Sequence, residues 1–451
     1  MLNMSLAEIS EKAAGELQGA DAWVYGAAID SRKVLKNNLF IALAGNHVDG
    51  HHFLENARES GAAGALVERF CDSALPQVKV ASCMKALSDI ALACRQRFDG
   101  TVFALTGSCG KTTTKEMLAA ILRRCGKVSA TTGNLNNEIG VPLTLFAVAE
   151  ESRYLIVEMG AAQKGDIAYL MAMAIPNITV ITNVRSAHLG RFGSEDAIAE
   201  AKAEIYTHLR PEDRAVINLD ELHAGEWRNL LSSHTVITCS TCRADADLYA
   251  SSVQLSADAV RFTLNYRTES VDVLLPVPGQ HNVANALCAA GCAILAHISL
   301  ADIAAGLGSF LPVSSRLQRM DGSWGGVLID DTYNASPASV KAAIDVLVNH
   351  AGRKFLVLGD MAELGEASLS LHAEVGSYAR KYGVNRLLAC GNDSRAAVES
   401  FGCGGDHFAS KGELADFLGQ ELEEGDVVLV KGSRSSAMEV VVNMLKRKVV
   451  A

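Results

Sequence analysis

The chain has 451 residues, 49% hydrophobic and 20% charged, enough to bury several cores and more in keeping with two or three domains than with one. Its formal charge of -10 argues against the cationic surface that holds a phosphate polymer, so no nucleic-acid partner is expected and an anionic substrate must be met by local groups. The 11 cysteines are odd in number and scattered from Cys71 to Cys403, which points to a reducing cytosol rather than a secreted disulfide scaffold.

The opening MLNMSLAEISEKAAGEL spaces apolar and charged residues as a helix does and lacks a basic segment followed by an apolar run, so no signal peptide is expected. Apolar runs at 23–29 and 39–43 and a second helix near 52–60 predict a small α/β domain over residues 1–85. At TVFALT, ending on Thr106, an apolar strand meets the turn GSCGKTT and a helix-compatible segment from Lys111 to Cys125. Strand candidates at 154–159, 178–183 and 214–219 alternate with helical patterns at 165–174 and 195–208, as in a parallel sheet. Residues 246–275 shift to short alternating runs, which predict antiparallel hairpins attached to that sheet.

The small-apolar stretch 284–307 is interrupted by Asn285, His297, Ser299 and Asp302 and reads as buried helices, not a bilayer span. After Pro312 strands are expected near 326–330, 354–358, 386–390 and 426–430, separated by helices. The expected architecture is α/β in three domains, 1–85, 86–312 and 313–451: a small N-terminal domain, a central P-loop parallel-sheet domain with antiparallel strands, and a C-terminal Rossmann-like domain. Cys239 and Cys242 form a lone C-x-x-C without a second pair of ligands, better read as chance than as half a zinc site.

The strongest chemical signal is Thr106-Gly107-Ser108-Cys109-Gly110-Lys111-Thr112-Thr113. Its glycines let backbone N–H groups turn toward an anion at a helix N-terminus, Lys111 reaches the β- and γ-phosphates, and the Thr112 hydroxyl serves Mg²⁺. Leu105 stands where the full P-loop pattern has its first glycine, but the strand before and the helix after the turn favour phosphate binding over an ordinary glycine turn. Cys109 inside this loop invites a redox-switch reading, with packing as the simpler explanation.

TGSCGKT after a strand, GNLNNEIGVPLT at 133–144, IVEMGA at 156–161, AHLGRFGS at 187–194 and AKAEI at 201–205 together resemble the central domain of the Mur ligase family. The resemblance continues through PGQHNVANAL at 278–287, SSRLQ at 314–318, IDDTYNASPAS at 329–339, LGDMAELG at 358–365 and KGSRSSAME at 431–439. DDTYNASP and LGDMAELG resemble the D-alanyl-D-alanine-adding branch, and the Asp-Asn-Pro-Arg run of diaminopimelate-adding relatives is absent. The resemblance implies ATP-dependent ligation of D-alanyl-D-alanine to a UDP-muramoyl-tripeptide through an acyl phosphate, in the cytoplasm, by a monomer with two Mg²⁺ ions.

Site residues follow from the same resemblance. Glu158 and His188 are implied at a second Mg²⁺, supported by Lys202 as a carbamate; the bland alternatives are a helix-capping carboxylate, an ordinary histidine and an exposed helical lysine. Asn282 and Asn285 are implied at adenine, Arg316 at an ATP phosphate and Asp331 at the ribose. Ser31 and Arg32 are implied near the uridine diphosphate, in a pocket shaped by Asp49, Gly50, His51 and Phe53, while His52 has no assigned role. Asn134 and Asn137 are expected at the triphosphate or the muramoyl substrate, with turn stabilisation as the alternative. Tyr333, Asn334, Asp360, Lys431, Ser433 and Arg434 are expected on the dipeptide side, with a solvated charged loop as the alternative for the last three.

Closure of a mobile third domain would exclude water from the acyl phosphate. The rival readings are another amide ligase of the Mur or folylpolyglutamate type, or a nucleotide-gated binding protein, kinase or GTPase. The UDP-like N-terminal segment speaks against the folate version, and no Asn-Lys-x-Asp guanine signature is present.

Overall fold

The computed structural model describes residues 2–45, 48–185 and 189–447. The N-terminal unit is built on a five-stranded sheet in the order Glu16–Gln18, Gln77–Lys79, Gly64–Val67, Leu39–Ile41 and Ala27–Ala28, antiparallel only at its first pairing. A ribbon of Asn3–Ser5 and Trp23–Tyr25 and a helix at Leu6–Lys12, capped by the Ser5 hydroxyl, complete it. The helix Cys83–Gln96, capped by Ser82, runs through residues 85 and 86, so the boundary expected there falls inside an element. Its buried face belongs to one apolar core that contains Leu2, Leu39 and Val78 as well as Val102, Leu155 and Ile181. The N-terminal unit is thus packed directly onto one face of the central sheet.

The central sheet has nine strands, and its order explains where a ligand site can form. Thr101–Thr106 lies in the middle, with Tyr154–Glu158 and Val128–Ala130 on one side and Ile178–Ile181, Arg214–Asn218 and Thr235–Ser240 on the other, all parallel. The connections after Thr101–Thr106 and after its neighbour Tyr154–Glu158 lead to helices on opposite faces of the sheet, which opens a crevice at the carboxyl ends of this pair. Leu248–Leu255, Val260–Tyr266 and Glu269–Leu275 extend the far edge, with antiparallel pairing among themselves as expected. The second face is covered by the helices Lys111–Arg123, Gln280–Leu295 and Leu300–Gly308. The stretch 284–307 therefore lies in two helices, and among the described residues no helix is long and apolar enough to cross a membrane.

The third sheet has six strands in the order Gln318–Asp321, Val327–Asp331, Val427–Lys431, Lys354–Gly359, Arg386–Cys390 and Gly405–His407, parallel except for the first pairing. Register puts Asp331 opposite Lys431 and Lys431 opposite Leu358, so three strand ends are side by side. These ends face the crevice of the central sheet.

Candidate active site

Between the two sheets lies a cleft of about 1740 Å³. Ser108, Cys109 and Gly110, in the turn that Gly107 opens, form its floor. Gly107 has φ +153° and a Cβ there would meet the Thr182 hydroxyl at 1.9 Å; Gly110 has φ +77° and a Cβ there would meet Asn285 Oδ1 at 2.3 Å, so both positions exclude a side chain. Neighbouring residues pin the turn: Cys109 N–H donates to Asn183 Oδ1 at 2.9 Å, and the Cys109 carbonyl accepts from Thr182 Oγ1 at 2.7 Å and Asn183 Nδ2 at 2.9 Å. The helix that begins at Lys111 turns its first amides, which have no acceptor within the helix, toward the cleft.

Lys111 and Arg316 bring positive charge to this floor. Lys111 Nζ folds back to donate to the Gly107 carbonyl at 2.6 Å, and desolvation lowers its pKa against the opposing field of Glu158. Arg316 arrives from the third domain, donates from Nη2 to Thr112 Oγ1 at 2.9 Å and lies 4.0 Å over the Tyr333 ring, while its buried Nε has no acceptor among the described residues. An orphaned guanidinium donor beside a lysine and a helix N-terminus fits a polyphosphate.

Glu158 ends its strand 2% exposed; its Oε2 accepts from Thr112 Oγ1 at 3.0 Å and its Oε1 from Asn136 Nδ2 at 2.9 Å. A carboxylate beside a hydroxyl is a hard oxygen pair of the kind Mg²⁺ takes together with substrate phosphates and water. Among the described residues no three of His, Cys, Asp and Glu converge as a metal cluster, which includes Cys239 and Cys242. His188 lies outside the described residues.

Lys202 also lines the cleft, and at 3% exposed it is not the exposed helical lysine of the bland reading. Burial, aided by the charge of Lys111, lowers its pKa to about 7, so a large neutral fraction is present near neutral pH. A neutral amine is the form that adds CO₂, and the residue therefore fits a carbamate.

The other expected residues divide into two groups. Ser108, Cys109, Thr112, Thr113, Asn134, Asn137, Asn282, Asn285, Asp331, Tyr333, Asn334, Lys431, Ser433 and Arg434 all line the same cleft. Several have local partners as well: Asn137 Oδ1 accepts from Gly140 N–H at 2.9 Å, Asn282 Nδ2 donates to the Pro278 carbonyl at 2.7 Å, and Asn285 Nδ2 donates to Asn282 Oδ1 at 3.1 Å. Lys431 is 2% exposed, donates to the Asp331 carboxylate and reaches the Asn334 carbonyl at 3.0 Å; burial raises the Asp331 pKa while Lys431 opposes the rise. Lys431 and Ser433 are buried, so only Arg434 keeps the character of a solvated charged loop.

Asp360 does not line the cleft. Its carboxylate instead accepts from the N–H groups of Asn392, Asp393 and Ser394 at 3.0, 3.1 and 2.8 Å, at the turn into the helix Arg395–Phe401. Its carbonyl accepts from Ser433 N–H at 3.0 Å and Ser433 Oγ at 2.6 Å, so it supports the Ser433 segment from behind. Gly391, at φ +152°, leaves room for that carboxylate, since a Cβ would stand 2.2 Å from Asp360 Oδ1. Asp360→Ala is expected to lower folding stability by about 1–3 kcal/mol, read by chemical denaturation, because three donors lose a charged acceptor.

The N-terminal group lies apart from this cleft. Arg32 is exposed and paired to Asp30 at 2.8 Å, next to buried Ser31. Asp49 accepts from His51 N–H at 3.0 Å and pairs with Arg69 at 2.6 Å. His51 is 4% exposed and bonded on both ring nitrogens, to Asp49 at 2.6 Å and to Glu68 N–H at 2.9 Å, so it shapes the Gly50–Phe53 turn rather than presenting a free ring. Phe53 is 37% exposed.

Among the cleft residues that went unnoticed in the sequence are Lys115, Asn136, Arg185 and Glu221. Arg185 and Glu221 form a two-pronged ion pair at 2.7 and 2.8 Å. Asn136 sits inside the run NLNNE, where composition does not separate one asparagine from the next.

Three comparisons bear on this geometry. Residues 24–93 match the model described as Mur ligase family, catalytic domain; residues 105–293 match the Mur ligase middle domain; and residues 315–434 match the Mur ligase glutamate ligase domain. The UDP-N-acetylmuramoyl-tripeptide–D-alanyl-D-alanine ligase of Escherichia coli (strain K12) is 40% identical over 448 residues, covering 99% of each chain. A crystal structure of MurF from Acinetobacter baumannii superposes with a TM-score of 0.92 at 33% identity over 98% of each chain. MurF ligase from Thermotoga maritima in complex with ADP superposes with a TM-score of 0.81 at 28% identity, covering 93% of this chain and 97% of that one.

Proposed function

Because this chain belongs to the Mur ligase family, we propose that it uses ATP to join D-alanyl-D-alanine to UDP-N-acetylmuramoyl-tripeptide in peptidoglycan precursor synthesis. The observation that carries the chemistry is the convergence of Lys111, Glu158, Lys202 and Arg316 on one cleft between two sheets. The relatives' shared substrate names supply the substrate class.

A carboxylate is a poor electrophile, so the tripeptide carboxylate first takes the γ-phosphoryl group of ATP, with release of ADP. The amine of the dipeptide then attacks the acyl carbon, and phosphate leaves. The first step brings two polyanions together, and the chain must supply positive charge and orientation rather than a covalent nucleophile.

Lys111 and the helix N-terminus hold the transferred phosphate, and Arg316 approaches it from the opposite wall. Mg²⁺, when bound with the nucleotide, neutralises phosphate charge; Thr112 and Glu158 would hold it, joined by His188 and a carbamate on Lys202. Asn282 and Asn285 lie where adenine is read, and the Asp331 edge faces the ribose. Asn134 and Asn137 meet the muramoyl side, with Ser31, Arg32 and the Asp49–Phe53 turn binding the uridine diphosphate. Tyr333, Asn334, Lys431, Ser433 and Arg434 face the dipeptide. A cytoplasmic monomer belongs to the same reading.

The test mixes protein, Mg²⁺-ATP and UDP-muramoyl-tripeptide and follows phosphate release with and without D-alanyl-D-alanine, with product mass as the second readout. Dipeptide-dependent release and a pentapeptide product support the reading; ATP binding without that product points to another acceptor. Arg316→Lys is expected to raise the KM for ATP by roughly tenfold or more, because a lysine keeps the charge but loses the planar donor pair and the Tyr333 stacking.

A further inference from the structure

Glu158 is held by two different parts of the chain. Thr112, on the P-loop helix, donates to Oε2; Asn136, on the loop that follows the strand Val128–Ala130, donates to Oε1. Asn136 is itself fixed at both backbone ends, its N–H donating to the Asn134 carbonyl at 2.8 Å and its carbonyl accepting from Gly160 N–H at 2.7 Å.

A second tie secures the same strand end. Glu158 N–H donates to Thr131 Oγ1 at 3.0 Å, while Lys115, 1% exposed, donates to the Thr131 carbonyl at 2.5 Å and pairs with Glu116 at 2.9 Å. A carboxylate with one donor can turn about its terminal bond; a second donor on the other oxygen removes that freedom.

We propose that Asn136 is a positioning residue that aims the Glu158 carboxylate at the P-loop hydroxyl and couples its loop to Mg²⁺-dependent nucleotide binding. This rests on the reading that Thr112 and Glu158 hold the cation. Asn134 and Asn137, on either side of Asn136, line the cleft, so a ligand that shifts their loop also shifts the donor on Glu158.

Calorimetry of ADP binding to the full chain, in Mg²⁺ and in EDTA and with no muramoyl substrate, isolates this effect. In Asn136→Ala the gain in ADP affinity on adding Mg²⁺ is expected to fall about tenfold while the affinity in EDTA stays at the wild-type value. The Mg²⁺ concentration for half-maximal turnover rises in step. An unchanged gain in the variant overturns the proposal, and a role in packing alone would lower the melting temperature without separating the two conditions. Should Asn136→Ala not fold, the isosteric Asn136→Asp removes the donor with the shape kept, and its Mg²⁺-dependent gain is expected to change about fivefold or more in either direction; no change overturns the proposal. Wild-type protein that binds ADP equally in both conditions removes the cation reading itself and the proposal with it.

Discussion

Lys111→Met is expected to lower ATP-dependent phosphate release by about 10²–10³-fold while leaving the chain folded. Lys111 emerges from the first turn of the P-loop helix with its ammonium against the Gly107 carbonyl, in surroundings that lower its pKa through desolvation. The protein therefore holds a cation whose hydrogen-bond acceptors are neutral carbonyls and whose desolvation the field of Glu158 only partly offsets, a state that a bound polyphosphate relieves. Methionine keeps most of the stem and removes the charge. Thermal unfolding followed by circular dichroism should show a midpoint no lower than that of the parent, because the burial penalty is lost along with the contacts. Turnover near the parent value would remove Lys111 from the phosphate cradle.

A smaller loss is expected when Lys202 is denied CO₂. Stripping CO₂ from protein and buffers should lower activity by about 10–100-fold, and bicarbonate should restore it, as befits a group that supports a metal-binding carboxylate. The amine must be neutral to react, and its pKa of about 7 means that the reactive form declines as pH falls through that value. Lys202→Met should be inactive under both conditions; a variant with parental activity, or a parent indifferent to CO₂, would remove the carbamate from the mechanism.

The same group affects stability without ligands or CO₂. Below pH 7 both folded and unfolded chains carry the proton, and the folded state bears the full penalty of the buried charge. Between about 7 and the ordinary lysine value of 10.5 only the unfolded chain retains it, so this group's contribution makes stability rise with pH across that window. Lys202→Met should flatten that part of the profile, measured as unfolding free energy against pH.

The parallel character of the central sheet was readable because its longer buried strands are continuous apolar runs that alternate with helix patterns, as at 154–159 and 178–183, whereas the order of those strands was not. The strands Val128–Ala130 and Gly405–His407 escaped notice because each is only three residues long and none of those residues is fully buried, so no apolar run marks them. The helix Cys83–Gln96 escaped because its apolar face serves two sheets at once, and a domain boundary was expected where the core is continuous.

By itself the sequence determined the P-loop, because strand, glycine turn and lysine-led helix lie within 23 residues from Thr101 to Arg123 and their geometry is local. It also carried the motifs that identify Glu158 and Lys202 as candidates. Tertiary structure alone decided what those groups face. Lys202 became a buried amine beside Lys111, Asp360 turned away from the cleft to three backbone donors, and Asp331 met Lys431 across 100 residues of chain. Each outcome depends on which strand lies next to which and in what register, and on how much water is left around a charge once distant segments pack. A local pattern of residue types encodes neither quantity.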